Sequence, residues 1–526
     1  MAKMTHLCGV VLALATLSAS AAEKALPAGP EGTRPAKDRR GRFIGWHLGI
    51  EKNPITIIPP GLDKHRLGAP VAATALAHDY SPRNVTTLAQ WKPVRADIRQ
   101  RVLKFLEPMP PSNLPLDAKV ESTKDKGDYT LRRVSVAFTK TERGQIGLVI
   151  PKGLPTPAPA LIMYGAYGCG IDKSTEDVYS RAYGVHLARL GMVVAVLDHW
   201  YEKYEKHGEG AIMPLAASIH MGRRTVDYFL TQKDLVNPKQ IVVYGHVYGA
   251  EIAPFLTGLD DRIAGCATSS SSDEVIQRTM PYWPGPVWMG RSRGLGCIQR
   301  YSPRMFVGAR RYDLGATHGE GNREAAKVPF LSQEHRALMA PRPYLSMQEN
   351  TQLLDSLRPV YALYDKPGPV QAITHKWKTN LSIVAQEYMM DFFLTNVCGI
   401  TPGKAPEKVV KEILAGIKSS DAGKQLRAAR LAGWWKPKLA AEGLDRLIGS
   451  KDPAVRAAAA KALGRVGDMK RLVKHIRHAD PTVRLAVVEA MHVHGDEDVF
   501  EVLAEHETDK DKWVHEAKCQ TMNLVD

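Results

Sequence analysis

Between Tyr129 and Met347, short apolar, β-branched runs alternate with stretches of helical spacing. The runs are Ala160–Tyr164 (ALIMY), Met192–Leu197 (MVVAVL), Gln240–Tyr244 (QIVVY), Ile263–Thr268 and Pro343–Met347. Ser180–Leu190 and Ala216–Leu230 carry the helical spacing. A strand that is apolar on both sides needs cover on both faces, and a parallel sheet wrapped by helices supplies it. Tyr129–Phe138 and Gln145–Ile150 read as further strands on either side of a turn at Lys140–Gly144. The predicted class is α/β, a doubly wound and mostly parallel sheet.

The last part of the chain follows another rule. Asp452-Pro453-Ala454-Val455-Arg456 recurs as Asp480-Pro481-Thr482-Val483-Arg484, 28 residues later. An Ala-rich helical stretch and a glycine follow each copy. Weaker copies start at Asp421 and Asp511. A period near 30 with paired helices predicts an all-α solenoid, and the motif resembles the short HEAT-like repeats. Charge is uneven along it. Lys404–Arg484 carries a net +11 and Leu485–Asp526 a net −8. Curved helical stacks mostly bind things, so these opposed charges predict a docking surface for a protein partner.

Length and composition set the frame. With 526 residues there is room for about two to four domains of ~150 residues each. The net charge of +16 favours anionic partners, but no aromatic–basic motif accompanies it, and no nucleic acid is expected. Six cysteines are too few for a disulfide scaffold. Leu7–Leu17 is an apolar run behind Lys3, and the small residues Ser18–Ala22 follow it. That is the layout of a secretory signal peptide, residues 1–22, and predicts export to the periplasm or the extracellular space. No other run reaches the ~18 apolar residues of a membrane span, so no transmembrane segment is expected. The expected division is 1–22 signal peptide, 23–90 irregular N-terminal arm, 91–400 sheet domain and 404–526 helical repeats.

The chemistry concentrates where QIVVY runs into Gly245-His246-Val247-Tyr248-Gly249 and then AEIAPFL. Strand, tight glycine-flanked turn and helix form the context of a nucleophile elbow, in which Gly-x-Ser-x-Gly exposes a strained hydroxyl over the sheet. Here the central residue is Val247, which has no nucleophilic atom.

The chain resembles the α/β-hydrolase superfamily over roughly Trp91–Asn396, most closely its dienelactone hydrolase and acetyl xylan esterase-like branch. The likeness rests on WKPVRADIRQRVLKFL, GAYGCG, MVVAVLDHW, QIVVYGHVYG with LDDRIAGCATS, APRPYLSMQEN and RPVYALYDKPGPVQAITH. It implies an oxyanion-like loop at Gly165, Ala166 and Tyr167. It implies an acid after PYLSM, with Asp355 the first candidate and Glu349 the second. It implies a histidine after the last strand, where His375 is present but the pattern's catalytic position falls on Thr379. The carry-over thus yields a degenerate set: Val247, Asp355, His375 and Thr379.

Other candidates carry less. His246 and Tyr248 flank the turn, with side chains expected to point away from a nucleophile's place. Ser269–Ser272 reads as a polar loop. Trp200, Tyr201 and Tyr204 follow the MVVAVL strand and, with Trp283 and Trp288, offer flat faces for stacking on a sugar or small molecule. His492, His494 and Asp496–Asp498 have metal-ligand chemistry but sit at a helix end among repeats. No metal and no cofactor are expected. The predicted function is a non-catalytic homologue that binds a carbohydrate, a small molecule or a protein. The alternative is an active carboxylic-ester hydrolase with non-standard residues.

Overall fold

The runs assemble into one sheet whose twelve described strands are, in chain order, β1 (Arg34–Lys37), β2 (Phe43–Leu48), β3 (Ile55–Ile58), β4 (Lys119–Asp125), β5 (Tyr129–Ala137), β6 (Arg143–Pro151), β7 (Ala158–Tyr164), β8 (Val193–Leu197), β9 (Val236–His246), β10 (Gly265–Ser269), β11 (Tyr344–Met347) and β12 (Val370–Thr374). The computed structural model describes residues 29–30, 33–37, 43–48, 55–58, 85–111, 113–166, 169–176, 179–198, 214–247, 249–269, 332–347, 351–374, 381–494, 497–504 and 508–522. The predicted signal peptide lies outside these residues. Across the sheet the order is β1-β2-β3-β12-β11-β10-β9-β7-β8-β6-β5-β4. The six strands from β12 to β8 run parallel. Both flanks are antiparallel.

Every residue of β7, β8, β10 and β11 is buried, as strands covered on both faces require. The cover includes α1 (Leu88–Phe105), α2 (Tyr183–Arg189), α3 (Pro214–Thr231), α4 (Gly249–Leu259), α5 (Thr351–Tyr361) and α6 (Ile383–Asn396). α1 starts at a capping box, with Thr87 accepting from the Gln90 amide and Gln90 reaching back to the Thr87 amide. It buries Trp91, Ile98, Val102 and Phe105.

Two flanks differ from the sequence expectation. The segment expected to be an irregular arm supplies β1, β2 and β3, and β3 pairs with β12 through Ala372↔Ile58. Its strands are too short to show a period, yet Ile55–Ile58 is fully buried and joins β12 to β2, with β1 as the edge on that side. At the other end β4 was not expected at all. Its sequence, KVESTKD, is exposed at all but one residue. An edge strand wetted on both faces carries no apolar alternation, and its charges discourage further pairing.

The repeats form two layers. One contains α8 (Ala422–Trp435), α9 (Pro453–Val466), α10 (Pro481–His494) and α11 (Lys512–Met522), stacked in sequence order. The other begins with α7 (Glu407–Lys418) and continues through the shorter helices Ala441–Leu447, Met469–Leu472 and Glu497–Ala504. The motif explains the stack. Its Asp caps the helix: Asp452 accepts from the Ala454 amide at 2.8 Å, Asp480 from Thr482 at 2.9 Å and Asp511 from Trp513 at 3.0 Å. Pro453 and Pro481 open their helices, where no amide hydrogen is needed. The motif's Arg then ties one repeat to the next, Arg456 to Asp480 at 2.8 Å and Arg484 to Asp509 at 2.8 Å.

The first layer packs on the sheet domain. Arg430 of α8 donates to the carbonyls of Lys152, Arg189 and Asp128. A Cβ on Gly153 would collide with Leu426, and one on Gly191 with Trp434. Lys152, Gly153 and Gly191 lie just before β7 and β8 begin, so α8 docks at the edge of the sheet opposite the strand ends that carry the elbow.

Candidate functional site

The chain runs β7 then β8 on one side, crosses back, and continues with β9, β10, β11 and β12 on the other. That reversal lies between β7 and β9. Ligands of open α/β sheets bind beyond the carboxyl ends of the strands at such a switch point. Tyr164 at the end of β7 pairs with Gly245 at the end of β9, which brings Gly165 and the elbow side by side.

The elbow is built by close approach. A Cβ on Gly245 would collide with the carbonyl of Gly249, and one on Gly249 with the carbonyl of Tyr164. Both glycines are therefore required for the turn to close against β7. Between them Val247 is held at φ +53°. A β-branched residue in the left-handed region is strained, and the strain is held in place by the Val247 amide donating to the Ser269 carbonyl at 2.9 Å and the Ala250 amide donating to the Val247 carbonyl at 3.1 Å. A strained elbow at the switch point of this strand order decides the architecture. The fold is that of an α/β hydrolase.

The loop after β7 is pinned to β8. The Cys169 amide donates to the Ala166 carbonyl at 2.9 Å, and Asp198, directly after β8, accepts from the Ile171 amide at 2.8 Å. Gly165 has no room for a Cβ beside the Cys169 carbonyl. Gly165 and Ala166 thus sit beside the elbow in a fixed turn. Tyr167 and Tyr248 lie outside the described residues.

Beneath the tip lies a buried polar cluster that sequence reasoning passed over. Ser269 ends β10 rather than opening a polar loop, and it is fully buried. Its Oγ is 2.7 Å from His246 Nδ1 and 2.8 Å from the Tyr244 hydroxyl. His246 is 2% exposed, with its ring edge-on to Tyr183 at 5.4 Å. Burial raises the pKa of the Tyr244 phenol well above its ordinary value, with the Ser269 hydrogen bond opposing the rise. The phenol stays neutral. The signal was the parallel register His246↔Ser269, which a single run of letters does not display. A further buried pair follows the elbow: Glu251 in the first turn of α4 lies 3.6 Å from Arg336, both about 1% exposed.

The remaining candidates fall differently. Asp355 lies in α5, part-buried, and pairs with Arg358 one turn along. Glu349, His375, Thr379, Trp200, Tyr201, Tyr204, Trp283 and Trp288 lie outside the described residues. Among the described residues no group of three or more His, Cys, Asp or Glu side chains is placed to hold a metal. His492 is buried, with Nδ1 3.3 Å from the Thr521 hydroxyl. Cys169, Cys266, Cys398 and Cys519 are free thiols. Among the described residues no helix is long and apolar enough to cross a membrane.

A family model described as HEAT repeats matches residues 410–472. No curated protein matches the chain. Among solved structures, a glucuronoyl esterase from Solibacter usitatus is similar at 18% identity and TM-score 0.42, over 59% of this chain and 94% of its own. A carbohydrate esterase family 15 glucuronoyl esterase from Caldicellulosiruptor kristjansonii gives 16% and 0.40, over 61% and 89%. An acetyl xylan esterase from Paenibacillus gives 15% and 0.37, over 58% and 95%.

Proposed function

We propose that this protein is an exported α/β-hydrolase homologue that binds a carbohydrate or small ester-bearing ligand at the switch point and does not cleave it through the elbow. The domains of this reading are residues 91–400 for the hydrolase-like part, joined in its sheet by β1–β3 of the N-terminal arm, and 404–526 for the repeats, behind a cleaved leader at 1–22. The observation that carries it is Val247 at φ +53° between two glycines that cannot accept a Cβ. The scaffold that presents a nucleophile is intact, and the side chain it presents is an isopropyl group. Thr379 at the histidine position of the resemblance points the same way. Loss of a nucleophile lowers turnover by several powers of ten.

The test is hydrolysis of p-nitrophenyl acetate by the mature protein and by Val247→Ala. The two should be indistinguishable. A turnover number above ~1 s⁻¹ that is lost in Val247→Ala overturns the reading.

A second reading, an active ester hydrolase with non-standard residues, draws support from Ser269 Oγ lying 2.7 Å from His246 Nδ1. A hydroxyl within reach of an imidazole is the usual activated pair. Full burial and the competing Tyr244 contact favour a structural brace instead. Activity that survives Val247→Ala and disappears in Ser269→Ala would establish the second reading.

A further inference from the structure

The cations of the repeats differ in how they are engaged. On the face packed against the sheet domain Arg430, Lys461 and Arg465 are held by partners, while Lys424 and Lys512 of the same helices are exposed. Arg430 is held by three carbonyls. Lys461 lies 3.1 Å from Glu387 and 2.9 Å from Glu489. Arg465 lies 2.6 Å from Asp391. Three acids of the C-terminal part are likewise engaged internally: Glu489 by Lys461, Asp509 by Arg484 and Lys518, and Glu516 by the Ser180 amide. The contrast of a basic body and an acidic end read from the sequence is therefore partly a record of domain docking.

In the other layer α7 and the segment around Met469–Leu472 carry exposed lysines, while its last helix, Glu497–Ala504, is acidic. Lys408 and Lys418 on α7 and Lys470 and Lys474 around Met469–Leu472 are exposed. None of the four has an ion-pair partner among the described residues. Lys408 lies across α7 from the buried Ile413 and Ile417, and Lys470 across its helix from the buried Leu472. The exposed acids Glu407 and Glu442 are already paired within their helices, to Lys411 and Arg446.

We propose that this outer layer is a binding surface for a polyanionic glycan, a chain of sugars bearing carboxylate or sulfate groups. Unpaired lysines on the first and third helices of the layer match negative charge spaced along a flexible polymer. The alternatives fit less well. Residues 404–478 contain no Phe or Tyr, Trp434 is buried and Trp435 is packed against the core. Their other rings, His475 and His478, are turned edge-on to each other at 6.1 Å, so this stretch offers little flat surface for stacking nucleobases. Leu439 is the only strongly exposed large apolar side chain there among the described residues, too little to insert into a lipid surface. The choice of a glycan also rests on the export included in the proposed function. It is independent of what Val247 does.

The experiment uses the full mature chain and a fluorescein-labelled polygalacturonate oligomer, followed by anisotropy in 0.05 M and 0.5 M NaCl. One variant carries Lys408→Gln, Lys418→Gln, Lys470→Gln and Lys474→Gln. A control of equal charge change carries Lys119→Gln, Lys124→Gln, Lys233→Gln and Lys239→Gln, all exposed on the sheet domain. Melting curves establish that both are folded. Expected are an affinity at least tenfold weaker in 0.5 M salt, as the Debye length falls well below its ~10 Å at 0.1 M, a loss of tenfold or more in the repeat variant, and less than twofold in the control. No binding by the unaltered protein overturns the proposal, as does an equal loss in both variants, which would mean net charge alone. Competition by duplex DNA as effective, per charge, as unlabelled polygalacturonate would transfer the surface to nucleic acid. An esterase result of either sign leaves these outcomes unchanged.

Discussion

Lys461 and Glu489 occupy the same position of consecutive repeats, each nine residues after its motif aspartate, and their Nζ and Oε2 atoms lie 2.9 Å apart. Arg430 holds that position one repeat earlier. One helical position, repeated, thus supplies the polar face that docks on the sheet domain. Burial would push the Glu387 carboxyl up, but Lys461 and Arg465 outweigh it and hold its pKa down to about 2. Glu489 is held low in the same way, against burial, by Lys461 first and then His186.

Replacing Lys461 should therefore be costly. Lys461→Met leaves two buried carboxylates facing each other, and removing one partner of a buried ion pair costs about 3–5 kcal/mol. The double change with Glu489→Gln should recover part of the loss. Thermal melting reads both. A Lys461→Met protein as stable as the parent would mean that the docking face is wetted.

Val247→Gly should stabilise the chain. Relief of left-handed strain is worth ~1–3 kcal/mol, against ~0.5–1 kcal/mol for the added backbone freedom of glycine. A net gain near 1 kcal/mol raises Tm by about 2–4 °C in a domain of this size. A lower Tm would show that the isopropyl group packs into the site and contributes more than its strain costs.

Stability should fall between pH 6.5 and 4. Burial lowers the pKa of His220 and of His492, each to about 4. The unfolded chain then takes up those protons first, near its ordinary value of ~6.5, so acid favours unfolding and the loss saturates below the folded pKa. Each shift corresponds to roughly 3 kcal/mol. Glu387 acts in a lower window, contributing above its ordinary carboxylate range and losing that contribution only as pH drops toward 2. Urea midpoints measured across this range should fall as the pH drops from 6.5 to 4, and His492→Gln should flatten the slope. An unchanged slope would place His492 in contact with water.

Val247→Ser alone should give little esterase activity, because a serine needs an adjacent base and Thr379 stands at the position where the resemblance expects one. Val247→Ser with Thr379→His should exceed it. Full rates from the single change would assign the base to His375 or His246 instead.

The sheet class and the repeats were legible because each depends on local period. Doubly buried strands read as continuous apolar runs, and Asp-Pro-x-Val-Arg caps and starts a helix by itself. The elbow was legible for the same reason, since both glycines and Val247 lie within five consecutive residues. β1, β2 and β3 were not. They are short, lie in Pro-rich sequence, and join the sheet only through β3, which pairs with β12 more than 300 residues away.

Residue identity alone determined that the turn after β9 is tight and that its tip has no hydroxyl. Tertiary structure decided what surrounds it. Ser269 meets His246 because parallel register sets the end of β10 beside the end of β9. Arg430, Lys461 and Arg465 are spent because the helices that carry them pack on the sheet domain, while Lys408, Lys418, Lys470 and Lys474 stay exposed. Charge can be counted along a chain, but whether a charge is paired depends on contacts between residues far apart in it, and those exist only once the chain has folded.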